Sequence, residues 1–152
     1  MNHIDVFVFS SSTLTNIWAG VGAQLWAVSA QQKRKVGGAK RKAQALHIGS
    51  LGLLYCVKEK CLTTPFVVSS RVDLERVVKD VWPEEWCLPF GIHPLGTPRK
   101  RLPTNQLRHI LSSLGDGKRT WNQLLFVAPT TAFVPSKLIA SDWEAMLREL
   151  QE

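Results

Sequence analysis

The sequence predicts an α+β domain: a small, strongly curved mixed sheet, or a barrel made from one, with helices packed around it. Three observations carry this. Short β-branched and aromatic runs recur through the first two thirds of the chain, helical periodicity appears mainly after residue 105, and 152 residues suffice for one well-filled core. One domain over residues 1–152 is expected.

Ile4–Phe9 reads as a central strand because both of its faces are apolar, and Ser10-Ser11-Ser12 ends it. Between Thr13 and Ser29, Ile17, Trp18, Val21 and Leu25 fall at mixed helical spacing interrupted by Gly20 and Gly22. That predicts a short helix and then a loop carrying Trp26. Gln31–Gln44 holds six cations around Gly37-Gly38 and no acid, the pattern of a mobile basic segment. His47–Ser50 is a tight turn into a hairpin of Leu51–Val57 and Pro65–Ser70, joined across Lys58-Glu59-Lys60. Asp73–Lys79 fits a helical turn or a polar strand equally well. Trp86–Leu95 is a further strand, and Pro89 within it requires an edge or a bulge. Asn105–Leu114 places Leu107, Ile110, Leu111 and Leu114 on one helical face, stopped by Gly115-Asp116-Gly117. Leu124–Ala128 is a last strand or a buried helical turn. Ser141–Glu144 reads as a capping box opening a helix with Trp143, Met146, Leu147 and Leu150 in the core.

Nineteen Lys and Arg against twelve Asp and Glu give a formal charge of +7, which favours anionic partners. No apolar run reaches the length that spans a bilayer, and the N-terminus lacks the design of a signal peptide, so no membrane partner and a cytoplasmic location are expected. Cys56, Cys61 and Cys87 form no Cys-x-x-Cys pair and no His partners them at zinc spacing. No metal and no other cofactor is therefore expected. Nor does any nucleophile lie beside a recognisable base, so no catalytic residue is assigned.

The segment Val81–Phe90 is the most informative. Trp82 and Trp86 lie four apart beside Pro83 and Pro89, which leaves little room for a regular helix and sets at least one indole on a loop. Arg99-Lys100-Arg101 follows, so aromatic and basic surface lie close in sequence, as a protein gripping a nucleic acid with one base extruded requires. The competing reading is that the indoles fill the core and the cations are merely solvated. Trp121, after Lys118-Arg119-Thr120, fits core packing better than stacking.

Taken in order, the strand ending in Ser10-Ser11-Ser12, a Trp at the foot of a helix, Leu53-Leu54-Tyr55 behind a glycine, Phe66-Val67-Val68-Ser69 and Trp82 through Ile92 resemble the EVE domain. EVE belongs to the PUA-like superfamily, with the YTH domains as relatives, and the resemblance covers about Ile4 to Leu114. It implies a β-barrel with an aromatic pocket that receives one flipped, often methylated base. By position, Trp26 resembles the first indole of the YTH cage, and Trp82 or Trp86 the second. Ser10, Ser11 and Ser12 stand where relatives present polar groups to the base edge. The EVE pattern Trp-x-Gly-Val-Arg-Asn reads here as Trp18-Ala19-Gly20-Val21-Gly22-Ala23, without its Arg and Asn, which makes Trp18 a rival to Trp26.

The expected function is thus a non-catalytic reader of a modified base, with Lys33, Arg34, Lys35, Lys40, Arg41, Lys42, Arg99, Lys100 and Arg101 on phosphates. DNA is favoured because these cations would suit both strands of a duplex around a flipped base. The chain would then be the recognition part of a modification-dependent restriction system, with an effector nuclease domain in the same or a partner chain. Alternatives are a reader of modified RNA, a small nucleoside or amide hydrolase on the same barrel, and a plain interaction domain.

Overall fold

The structure, a computed structural model, describes residues 2–152. In chain order its elements are β1 (His3–Ser11), α1 (Leu14–Ala23), β2 (Leu25–Ser29), α2 (Ala30–Lys35), α3 (Ala39–Ala43), β3 (Leu51–Cys56), β4 (Cys61–Val68), β5 (Val77–Val78), β6 (Trp86–Pro94), β7 (Leu102–Pro103), α4 (Leu107–Ile110), α5 (Trp121–Leu124), β8 (Ser136–Ile139) and α6 (Ala140–Leu150).

The strands form one mixed sheet in the order β2-β6-β4-β3-β1-β8, with β5 on β6 and β7 on β4. Strand β1 is central, as expected: it runs parallel to β3 from Val6↔Leu51 to Ser11↔Cys56 and antiparallel to β8 from His3↔Ile139 to Val6↔Ser136. Its alternation feeds two cores. Phe7 and Phe9 join a cluster with Ile17, Trp26, Phe66 and Phe90, while Val6 and Val8 join Leu53, Leu62, Trp143 and Met146 on the opposite face under α4, α5 and α6. The hairpin of β3 and β4 forms as expected, though β4 begins earlier, at Cys61 opposite Cys56. No pairing joins β2 to β8 among the described residues, so the sheet is open and the expected barrel is not closed.

Strand β6 sets the shape of the site. Its first part, from Trp86 to Gly91, pairs with β2, while Ile92–Pro94 pairs with β4, so the strand is interior rather than at an edge. Pro89 is accommodated by a bulge instead: Trp26 faces Phe90 and Val28 faces Cys87, and Leu88 takes φ 57. Gly91 marks the changeover, where its N–H donates to Ser70 Oγ at 2.7 Å and a Cβ would stand 2.5 Å from Ser69 Oγ.

Several expectations are corrected. Trp26 lies within β2, not on a loop, because Leu25–Ser29 finds a partner in β6. The basic stretch folds into α2 and α3, anchored by Val36, Ala39, Ala43 and Leu46, whose spacing of three and four buries one stripe beneath the cations. The helix expected over Asn105–Leu114 breaks at Leu111, which is extended (ψ 120), because buried Asp142 accepts from Ser112 N–H at 2.9 Å and Ser112 Oγ at 3.1 Å. The capping box expected over Ser141–Glu144 does not form, because α6 starts at Ala140, with Ser141 already inside it and no side-chain cap; Trp143 is buried as expected. A capping box does form elsewhere, at Thr120 and Gln123. Asp73–Lys79 resolves into an Asp73-centred turn and β5, and Leu124–Ala128 into the last residue of α5 followed by extended chain.

Candidate functional site

Three indoles meet where β2, β6 and the loop before β6 converge. Trp82 and Trp86 stack at 4.0 Å between centroids and 10° between planes, and Trp26 stands edge-on to both, at 5.7 and 5.4 Å. All three are at most 4% exposed. A base sandwiched between parallel rings needs their planes roughly 7 Å apart, two carbon contact distances. The trio is therefore a closed stack rather than an open cage. Trp82 Nε1–H donates to the Asn16 carbonyl at 2.9 Å and Trp86 Nε1–H to Glu84 Oε1 at 3.0 Å, which fixes both rings.

Close approach of α1 seats Trp26: a Cβ on Gly20 would lie 2.6 Å from its ring. Gly20→Ala is expected to displace the indole and cost about 1–3 kcal/mol by overpacking, read as a fall in melting temperature and a change in tryptophan fluorescence.

Trp86 borders two cavities. The smaller, about 240 Å³, brings together Ser10, Ser11, Ser12, Asn16, Lys35 and Glu84. Ser11 Oγ is buried there with no hydrogen-bond partner in the protein, a deficit that a polar ligand would make good. The larger, about 600 Å³, has an apolar floor of Val36, Ala39, Val77, Trp86 and Cys87, with Lys33, Arg34 and Lys40 around it. Lys40 pairs with Glu75 at 3.2 Å across the exposed rim.

The structure thus gathers Ser10, Ser11, Ser12, Trp86, Lys33, Arg34, Lys35 and Lys40 around two adjoining cavities, with Trp82 stacked on Trp86 and Trp26 edge-on to it. Arg41 and Lys42 sit on α3 outside both linings, and Trp18 is 41% exposed on the outer face of α1. Arg99, Lys100 and Arg101 are not brought to the indoles: Lys100 Nζ donates to the Gln151 carbonyl at 2.9 Å and Arg101 Nε to that of Pro98 at 3.0 Å, beside the end of α6. Asn16 and Glu84 escaped the sequence reading. For Glu84 the one available signal is its place two residues before Trp86, whose indole N–H it accepts.

Neutralising Lys33, Arg34 and Lys40 together is expected to weaken binding to any single strand and to flatten the salt dependence by up to about two units of slope. The same change at Arg99, Lys100 and Arg101 should have a smaller effect; salt titrations of both variants check this.

Two of the thiols, Cys61 and Cys87, are held in the protonated form, a poor nucleophile. Burial, with the neighbouring Cys56, pushes Cys61 up to about 11, and burial also raises Cys87. Among the described residues no three His, Cys, Asp or Glu side chains gather as metal ligands.

No protein-family model and no curated protein sequence matches the chain. Solved structures do. The chain is similar to the YTH domain of Zygosaccharomyces rouxii MRB1, solved with N6-methyladenosine RNA, at 12% identity and a TM-score of 0.61 over 96% of this chain and 86% of that one. It is similar also to the Toxoplasma CPSF4-YTH domain in apo form, at 13% identity and a TM-score of 0.60 over 100% of this chain and 91% of that one. These likenesses establish a YTH-like fold.

Proposed function

We propose that this domain binds nucleic acid and reads one modified base, extruded from its strand, in the cavity between Ser10–Ser12 and Trp86. The observation that carries the proposal is the unpartnered, buried Ser11 Oγ in a cavity walled by an indole and bordered by Lys35. The base edge would supply the missing partner, the base would meet the part of Trp86 that borders the cavity, and the cations of α2 and α3 would hold the flanking phosphates. Extrusion costs a few kcal/mol, which stacking at about 1–3 kcal/mol per aromatic and a desolvated hydrogen bond can offset. The proposed activity is binding without chemistry, and the Z. rouxii domain of the same fold was solved in complex with N6-methyladenosine RNA.

A methylated adenine in single-stranded RNA is the first ligand to test, because the Z. rouxii domain was solved with such an RNA. A second reading keeps the same pocket but sets it on duplex DNA, as the EVE-type recognition part of a restriction system with a nuclease elsewhere. The acid-free, basic α2–α3 segment favours it. Matched RNA strands and DNA duplexes, each with and without one N6-methyladenine, decide. Burying the methyl alone contributes roughly 0.8 kcal/mol, about fourfold in affinity. Equal affinity for the modified and plain forms of both would overturn the proposal.

A further inference from the structure

A third cavity, of about 330 Å³, lies under the other face of the sheet, apart from the indole trio. It is lined by Asn105, Arg108, His109, Arg119, Thr120 and Trp121 among others, and none of its lining residues is acidic. Arg108 comes from α4 and Arg119 from the loop before α5, so two arginines from separate elements line the cavity. Trp121 is half-buried. One side of it packs on Tyr55 at 5.5 Å between ring centroids, within the cluster beneath α4, α5 and α6. Its position is fixed by the capping box, in which Thr120 N–H donates to Gln123 Oε1 at 2.8 Å, and Arg119 Nη2 donates to the Gln123 carbonyl at 3.2 Å.

We infer that this cavity is a second nucleotide site, which takes an unpaired nucleotide with its base against Trp121 and its phosphate between Arg108 and Arg119. The reasons are chemical. A preset indole offers a platform that accepts any base, and forked guanidinium donors match phosphate oxygens. Asn105, His109 and Thr120 add neutral hydrogen-bonding groups for sugar or base edge. The volume is at the small end of ligand sites, suited to one nucleotide rather than a length of peptide. The site needs no modified base and so goes beyond the reader function. It would hold the strand on a face where Trp86 has no reach.

The test uses the full chain and an unmodified single-stranded RNA hexanucleotide, followed by the indole N–H resonances, with that of Trp121 assigned through Trp121→Phe. The Trp121 resonance is expected to shift and saturate with the hexanucleotide. The exposed double change Arg108→Ala with Arg119→Ala should weaken that binding about tenfold and lower the salt slope by about 1.4, two contacts at 0.7 each on a single strand. An unmoved Trp121 resonance, or a double variant that binds as tightly as the parent, overturns the site. So does tighter saturation of Trp121 by a phosphoserine peptide or inorganic phosphate than by the hexanucleotide. Failure of the reader function is separate: modified and plain strands would then bind alike while the Trp121 shift persisted.

Discussion

Trp26→Ala is expected to cost about 3–5 kcal/mol of stability, the range for deleting a large aromatic from a packed core. For a domain of this size that lowers the melting temperature by roughly 6–20 °C. The ring is 1% exposed, meets Trp82 and Trp86 edge-on, and lies against Gly20, so its removal leaves a void that three elements border. Any accompanying loss of binding would be secondary to unfolding. Thermal denaturation followed by circular dichroism measures the effect, and a shift of less than about 3 °C would mean that Trp26 is replaceable in the packing around Trp86.

Trp86 is expected to respond differently. Trp86→Leu keeps apolar volume on β6 but removes the ring bordering both cavities and the N–H held by Glu84. Affinity for the modified strand should fall by roughly 5- to 150-fold, the equivalent of about 1–3 kcal/mol of stacking. Trp86→Phe should recover part of it, because a face remains but the hydrogen bond does not. Calorimetric titration of folded variants, each checked by its melting curve, separates these outcomes. Unchanged affinity in a folded Trp86→Leu variant would remove the indole from the site and leave Ser10–Ser12 without a stacking wall.

Much of the scaffold was legible because its signals are local. The two apolar faces of Ile4–Phe9, the hairpin of β3 and β4, and the choice of an edge or a bulge at Pro89 all follow from side-chain pattern and proline chemistry over a few residues. What escaped depends on distant partners. Leu25–Ser29 is a strand only because β6 lies beside it, and Ser136–Ile139 only because β1 offers an edge. The helix over Asn105–Leu114 had the right period and still broke, since a carboxylate thirty residues on captures a backbone N–H at Ser112. The site was legible by composition more than by geometry. Tryptophan, serine and lysine were the right residue types, but nothing in their spacing revealed that Trp82 and Trp86 press face to face, or that Glu84 steers one of them.

Strand β1 is flanked by β3 on one side and by β8 on the other, so the first strand of the sheet in chain order is completed by the last. Assembly then has a kinetic signature. As the chain leaves the ribosome, β1 emerges early with an unpaired edge and waits through the α1–β2–α2–α3 crossover before β3 can join it in parallel. Its other edge stays open until residues 136–139 arrive. Such distant pairings carry a large loop-closure entropy and slow the folding rate, and the waiting edge is a template for pairing with a neighbouring nascent chain. The pairing that completes the middle of the sheet therefore cannot form until β8 is present, which leaves one edge of β1 open for most of the assembly of the domain.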